Sequence, residues 1–339
     1  MARIVECVPN FSEGRNIRVI NAIAGAISAV AGVKFISAEP DKDYNRTVVT
    51  FVGEPGAVLE GAFQGTRKAA ELIDMTKHQG EHPRIGATDV VPFVPVAGVT
   101  MEDCVRLANE FGARVGTELQ IPVYLYEEAA TRPERKNLAN IRKGEYEGLA
   151  EKLADPAWEP DYGPPVFNAA SGATVAGARM FLIAYNVNLD TGDVKIASEI
   201  ALRIRESGRV KKDAKGNPVL DSQGKKISVP GSLRAVKAMG VLLEAHNIAQ
   251  VSINLVNYHV TPPHVAFEEV KREAAALGAK ATGSEIVGLT PREALLIAGR
   301  YYAPEEKSED ALIDAAVRSL GLSQLEPFDM QKKVIEAQL

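Results

Sequence analysis

The strongest constraint in this sequence is an order of hydrophobic periods that occurs twice. Residues 4–8 are a short apolar run rich in β-branched side chains, ended by the polar turn Pro9-Asn10-Phe11-Ser12-Glu13-Gly14-Arg15. Ile20, Ile23, Ile27 and Val30 then recur at helical spacing. Residues 33–38 and 47–52 read as strands around a turn holding Pro40, Asp41, Asp43 and Asn45, which makes a hairpin. Leu59, Ala62, Thr66, Ala70 and Ile73 line one face of a helix within 55–75, and residues 90–96 are strand-like. The order is β-α-β-β-α-β, the ferredoxin-like unit. The second half repeats the order without repeating the sequence: strand at 180–189, helix at 194–204, strands at 236–244 and 251–256, helix at 264–277, and a strand near Ile286-Val287. An α/β (α+β) chain of two ferredoxin-like subdomains is therefore expected, with mixed sheets covered by helices.

Further elements extend the first unit. Cys104, Ala108, Phe111 and Val115 share a face of a helix started by Thr100, residues 123–126 are strand-like, and a charged helix is expected over 132–153. Residues 155–165 hold Pro156, Pro160, Pro164 and Pro165 with the only tryptophan, Trp158, and read as an irregular segment between domains. Its aromatic residues, with Phe167, either stack on a flat ligand or pack across a domain interface. The division expected is 1–178, carrying the catalytic residue, and 179–339, with helices from 291 onward and a break at Gly321. Two such units leave a cleft at their junction, a preferred place for small-molecule sites. Residues 208–226, rich in Lys211, Lys212, Lys215, Lys225 and Lys226, read as a surface hairpin inserted in the second unit.

Composition narrows the class. A chain of 339 residues affords two hydrophobic cores, and 46% hydrophobic with 24% charged residues at a net charge of −5 is neither disordered nor membrane-like. Without a basic excess, nucleic acid is not an expected partner. Cys7 and Cys104 are too few and too far apart for a disulfide framework or a zinc site, which points to a reducing compartment. No signal-peptide core and no apolar run of membrane length are present, so a soluble cytoplasmic protein is expected.

The chemistry concentrates in residues 78–89, His78-Gln79-Gly80-Glu81-His82-Pro83-Arg84-Ile85-Gly86-Ala87-Thr88-Asp89. The first five fit H-x-x-E-H, which on a continuous helix would make His78 and His82 zinc ligands and Glu81 a base. Gly80 inside that turn and Pro83 after His82 argue against a continuous helix. The preceding helix is instead expected to end near His78 with Gly80 as its C-terminal glycine, and 81–84 to form a loop entering a strand. His82 then reads as a general acid and base, against the plainer reading of a solvated or structural histidine. His246, His259 and His264 lack metal-ligand spacing and are read as structural. Asn10 and Glu13 form either a capping box for the first helix or part of a ligand site at a strand-to-helix turn, and Arg46 stands at the hairpin's mouth.

Val5 to Gly14, Asn45-Arg46-Thr47-Val48, His78 to Ile85 and Val123-Tyr124-Leu125-Tyr126 together resemble the glutamate formimidoyltransferase (formiminotransferase) family. Ile141-Arg142-Lys143-Gly144-Glu145-Tyr146-Glu147, Gly172-Ala173-Thr174 and Gly177-Ala178-Arg179 extend the match along the chain. The resemblance implies transfer of a formimidoyl group from N-formimidoyl-L-glutamate to N5 of tetrahydrofolate, a step of histidine degradation, with tetrahydrofolate as co-substrate and no metal. It puts the catalytic histidine on His82 and the folate-binding segment on Gly163, Pro164, Pro165, Val166, Phe167, Asn168, Ala169, Ala170, Ser171 and Gly172. Glu39 stands where the family has an aspartate, and Ser171 where an aromatic residue can occur. Donor and folate carboxylates call for arginine forks, for which Arg46, Arg84 and Arg179 are the candidates; Asn10 completes the substrate-binding set. Glu81, Glu39 or a nearby carboxylate is expected to orient His82. A homodimer is expected, and a fused cyclodeaminase domain is not expected at this length. Two other classes stay open: a folate-dependent formyltransferase or 5-formyltetrahydrofolate cyclo-ligase, and a folate-binding protein without turnover. The ligase would need ATP, for which no phosphate-binding glycine loop is present.

Overall fold

In the computed structural model the first expected repeat runs as β1 (Ile4–Cys7), β2 (Asn10–Phe11), α1 (Ile17–Ser28), β3 (Val33–Asp41), β4 (Arg46–Gly53), α2 (Pro55–Leu72) and β5 (Thr88–Ala97). Residues 3–213 and 216–338 are described; Met1, Ala2, Ala214, Leu339 and Lys215 of the expected insert lie outside them. Both β1 and β2 pair with β4 and β5, as one strand interrupted at Pro9, which has no N–H to donate. The antiparallel order β3-β4-β1/β2-β5 is the ferredoxin-like arrangement. Beyond it, α3 (Met101–Arg114) leads to β6 (Val123–Glu127), and β7 (Thr174–Ala178) inserts between β5 and β6, parallel to both. That makes the sheet mixed. β7 was not legible as a strand because Thr-Val-Ala-Gly-Ala is short and built of small side chains.

Three expectations change. Helix α1 is capped by Asn16, whose side chain accepts from the Arg18 N–H, so Asn10 and Glu13 form no capping box. Glu13 accepts instead from the N–H groups of Arg15 and Asn16 at 2.8 Å, and Asn10 belongs to β2. The charged helix over 132–153 is broken into α4 (Leu138–Arg142) and α5 (Leu149–Ala154), because Gly144 at φ 89° and Glu145 at φ 53° turn the chain left-handed between them. The proline-rich segment lies inside the first unit rather than between domains, since β7 follows it. Trp158 packs edge-on against Tyr124 there, with ring centroids 6.2 Å apart.

Helices α1, α2 and α3 cover one face of the sheet. Ile23 and Ile27, Phe63 and Phe111 meet Phe51 and Phe93 there, all at 2% exposure or less, and each such burial is worth about 1.5–3 kcal/mol. The other face carries Tyr124, Tyr126 and Val175 under Ile141, Leu149 and Leu153 of α4 and α5. Glu6 lies between Val5 and Cys7, which both enter the helix-covered core, so alternation sends its carboxyl to this second face.

The chain divides into two units, Met1–Met180 and Phe181–Leu339. The second contains β8 (Ile183–Leu189), α6 (Val194–Ile204), the short pair β9 (Arg209–Val210) and β10 (Ser228–Val229), β11 (Val236–Leu243), β12 (Ile248–Leu255), α7 (Pro263–Ala276) and β13 (Ala281–Val287). Its antiparallel order β11-β12-β8-β13 repeats the ferredoxin-like arrangement, with the lysine-rich insert as a hairpin between α6 and β11. α8 (Arg292–Tyr302) and α9 (Glu309–Leu320) follow, and Gly321 at φ 63° ends α9. No helix among the described residues is long and apolar enough to cross a membrane.

Candidate active site

The loop 78–87 is fixed by backbone and side-chain bonds rather than by a helix. α2 ends at Leu72, and a short 3-10 turn, Met75–Lys77, brings the chain to an extended His78. Gly80 is therefore not a left-handed helix terminus. Its need for glycine is steric: a Cβ there would lie 2.3 Å from the carbonyl oxygen of Tyr44. The tip of the β3–β4 hairpin presses against it. The Asn45 amide donates to the Gln79 carbonyl at 2.9 Å, and the Glu81 N–H donates to the Asp43 carbonyl at 3.3 Å.

The two histidines have separate environments. Nδ1 of His78 accepts from Nε of Arg84 at 3.2 Å, so the imidazole proton sits on Nε2, which donates to the Asn45 carbonyl at 2.9 Å. Both ring nitrogens are used, and burial holds the ring neutral by lowering its pKa. His82 is half-buried on the loop, with Nε2 2.7 Å from Nη1 of Arg46. A guanidinium has no acceptor, so this Nε2 presents its lone pair and His82 is neutral. Burial first, then the positive charges of Arg46 and Arg142, lower its pKa from 6.5 to about 4. Tyr44 completes the group, its ring centroid 5.8 Å from that of His82 and 5.5 Å from the Arg46 guanidinium carbon.

The partner on His82 is thus a cation, where a carboxylate was expected. Glu39 is on the exposed β3 and accepts from the Ser37 hydroxyl at 3.2 Å, and Glu81 is an exposed residue of the loop. Of the three arginines, only Arg46 points its head at His82. Arg84 is spent: Nη1 donates to Glu145 at 2.9 Å and Glu147 at 2.8 Å, and Nη2 to Glu147 at 2.6 Å. With Nε on His78, its fork is closed to a substrate carboxylate. Arg179 donates to the Met180 carbonyl at 3.0 Å and stands beside Tyr126 and Glu6. Asn10 donates to the Val8 carbonyl at 3.2 Å.

The segment 163–172 reaches the loop through its second half. Gly172 bridges Gly86, Ala87 N–H donates to the Ser171 carbonyl at 2.9 Å, and Met75 N–H to the Ala170 carbonyl at 2.9 Å. Tyr146 donates to the Ala169 carbonyl at 2.6 Å, with its ring 5.5 Å from that of Phe167. Asn168 closes the turn, its side chain accepting from Ser171 N–H at 3.0 Å. Gly163 and Gly172 bound the segment at φ 79° and 67°, and a Cβ on them would lie 2.5 Å from the Ile121 carbonyl and 2.2 Å from the Ile85 carbonyl. Pro165, Val166, Ala169 and Ala170 are exposed, an apolar strip beside the His82 loop.

Two depressions flank the loop. One of about 540 Å³ is lined by His78, Gln79, Gly80, Arg84, Gly144, Glu145 and Glu147. The other is a crevice whose side chains leave no room for a water molecule, lined by Ser12, Tyr44, Asn45, Arg46, His82, Asp89 and the His78–Arg84 pair. Only the second contains the His82 imidazole.

Two charged groups were given no role in the sequence reading. Arg142, at the end of α4, bonds the buried carboxylate of Asp89. Glu6 is a carboxyl at 4% exposure whose pKa burial raises from 4.5 to about 7, against the opposing charge of Arg179. An acid within the apolar run Ile4-Val5-Glu6-Cys7 was the available signal for it. Among the described residues, no group of three or more His, Cys, Asp or Glu side chains is placed to hold a metal ion.

Known proteins resemble the chain throughout. The model of the formiminotransferase domain, N-terminal subdomain, matches residues 4–179, and that of the formiminotransferase domain matches residues 184–339. A formimidoyltransferase-cyclodeaminase of Dictyostelium discoideum is 48% identical over 340 residues, covering 99% of this chain and 60% of that protein. The chain thus spans about three fifths of the length of such relatives. A glutamate formimidoyltransferase of Streptococcus pyogenes is 42% identical over 339 residues, covering 100% of this chain and 99% of that protein. One of Thermoplasma acidophilum is 48% identical over 301 residues, covering 88% and 92%.

Proposed function

The chain belongs to the formiminotransferase family, and from that premise we propose that it transfers the formimidoyl group of N-formimidoyl-L-glutamate to N5 of tetrahydrofolate, giving 5-formimidoyltetrahydrofolate and L-glutamate. The observation that carries the reading is the neutral imidazole of His82 with its unprotonated Nε2. The reaction needs such a group twice. The N5 lone pair attacks the amidine carbon, and the N5 proton passes to Nε2 as the tetrahedral adduct forms. The imidazolium then returns this proton to the glutamate nitrogen, the C–N bond to glutamate breaks, and its electrons leave with the amine. A histidine with a depressed pKa is a strong proton donor in that second half.

Tetrahydrofolate is the co-substrate, and no step written here requires a metal. The exposed strip 163–170, bounded by Gly163 and Gly172, supports the assignment of folate to that segment, because an apolar wall tied to the catalytic loop positions N5 near His82. Arg46 is the donor's carboxylate partner in this reading, with Arg179 and Asn10 further along the same sheet face. The protein is placed in histidine degradation, as a cytoplasmic homodimer. Incubation with N-formimidoyl-L-glutamate and tetrahydrofolate should yield the 5-formimidoyl product and stoichiometric glutamate. Failure of the parent protein to form it, with both substrates bound, would refute the assignment.

A further inference from the structure

Two guanidinium groups with incomplete partners lie near His82, Arg46 in direct contact with it and Arg142 through Asp89, which lines the same crevice. Nε of Arg46 and Nε of Arg142 are both buried with no hydrogen-bond partner. Each lies in the electrostatic reach of the other: the charge of Arg142 joins burial in lowering the Arg46 pKa. Keeping two partly buried cations near one another is costly unless an anion joins them. The charges of Asp41 and Asp89 offset this only in part, since the Arg46 pKa is still lowered. Oδ2 of Asp89 takes Nη2 of Arg142, while its Oδ1 accepts from the Ile85 N–H at 3.0 Å, so its hydrogen bonds go to partners other than Arg46. What Arg46 uses instead is the lone pair of His82, the atom the chemistry requires.

The groups around that imidazole come from every neighbouring element: Arg46 from β4, Tyr44 from the hairpin turn, Arg84 from the loop, Arg142 from α4 and Asp89 from β5. The nearest acids have other partners: Asp89 holds Arg142, Asp41 accepts from the N–H groups of Asp43 and Tyr44, and Glu145 and Glu147 hold Arg84. An incoming carboxylate would therefore find two guanidinium groups that each keep an unpartnered Nε. Resting on the transferase reading, we infer that Arg142, positioned by Asp89, forms with Arg46 a two-guanidinium site for a carboxylate of the glutamate portion of the donor, and that this carboxylate draws Arg46 off Nε2 of His82.

The consequence is a base exposed only when the donor is seated. A carboxylate that takes the Arg46 fork removes a hydrogen bond to the lone pair and brings negative charge near the ring, and both effects favour protonation. Arg142 touches the substrate in this scheme, and Asp89 acts through Arg142 as its positioning residue.

The test follows the His82 ring by NMR, its resonance assigned by its loss in His82→Asn, with L-glutamate as the probe at constant ionic strength. In the parent protein saturating L-glutamate should raise the His82 titration midpoint by about one unit or more. In Arg142→Lys, which keeps a counter-charge for Asp89 but loses the fork, most of that rise should vanish. The same variant should raise the donor KM about 10- to 100-fold, the worth of charge-assisted hydrogen bonds in a desolvated site, and lower kcat because Nε2 stays masked, with the folate KM little changed. An unmoved His82 midpoint with L-glutamate would overturn the inference, as would a donor KM within two-fold of the parent in a folded Arg142→Lys. If the parent transfers no formimidoyl group, the transferase reading falls and the titration alone decides this site.

Discussion

Nη1 of Arg46 and Nε2 of His82 are 2.7 Å apart, a cation donating to a base. Burial first, and then that contact, keep the His82 ring of the free protein neutral. His82 has a folded pKa of about 4 against 6.5, so it stays neutral far below the usual histidine range. The sign follows: the folded state favours the neutral ring, a contribution present above pH 6.5 and lost as pH falls toward 4. The His82 ring in the free protein should titrate near pH 4, and Arg46→Gln should move the midpoint up without restoring 6.5, because burial remains. A midpoint at 6.5 in the parent protein would show that the contact is not kept in solution.

His82→Ala or His82→Asn should lower kcat by roughly 10² to 10⁴, the usual worth of a general acid–base group. Folate affinity and folding should change little, since the ring sits on a loop and acts on charge that develops during reaction. His78 is a less innocent control than its place in the sequence implied. It joins Arg84 to the Asn45 carbonyl, so His78→Ala should cost about 1–3 kcal/mol of stability. It should still turn over at temperatures where it is folded. A dead but folded His78→Ala beside an active His82→Ala would reverse the assignment.

Arg84→Met should behave as a structural lesion. Its guanidinium ties the His82 loop to the Gly144–Glu147 turn through both glutamates and to His78 through Nε. The side chain is 7% exposed while Glu145 and Glu147 are 42% and 64% exposed, so water partly rescues the acids and the loss should be about 2–3 kcal/mol. Thermal melts and donor kinetics separate the readings. A well-folded Arg84→Met with a donor KM raised more than in Arg46→Gln would return Arg84 to the substrate site.

What the sequence disclosed and concealed divides along a physical line. Periodicity reports local burial, so α6 and the hairpin of β3 and β4 were legible, and the capping box of Thr100 and Asp103 confirmed the start of α3. Pro83 and Gly80 correctly argued that His82 lies in a loop, although Gly80 acts through the Tyr44 carbonyl and not through a helix end. Pairings across the chain were not legible. Asp89 meets Arg142 53 residues away, and Arg84 meets Glu145 61 residues away. Arg142 lay within the stretch read as one charged helix, and only the left-handed turn after it shows why that helix breaks.

Bound folinate should protect 163–172 from footprinting reagents, since Pro165, Val166, Ala169 and Ala170 are exposed beside the His82 loop. Protection confined to the 211–226 hairpin would place folate elsewhere. Gly172→Ala gives an independent check. At φ 67°, with the Ile85 carbonyl 2.2 Å from a new Cβ, the substitution must separate 163–172 from the loop. It should cost roughly 1–3 kcal/mol of stability and weaken folate binding more than donor binding.

Glu6 supplies a prediction independent of the reaction. Its carboxyl is 4% exposed, and burial raises its pKa from 4.5 to about 7, with Arg179 opposing. Below pH 4.5 the group is protonated in both folded and unfolded chains. Between 4.5 and 7 the unfolded chain releases a proton that the folded chain keeps, so stability falls as pH rises, and above 7 the loss is complete. Glu6→Gln removes the titration while preserving size. Relative to the parent, the variant should therefore gain stability with rising pH, by about 1–3 kcal/mol between pH 4.5 and 8. Denaturant unfolding of both proteins at those two pH values measures the change directly. A difference that stays constant across the range would mean that Glu6 is ionised through it, and that Arg179 outweighs burial.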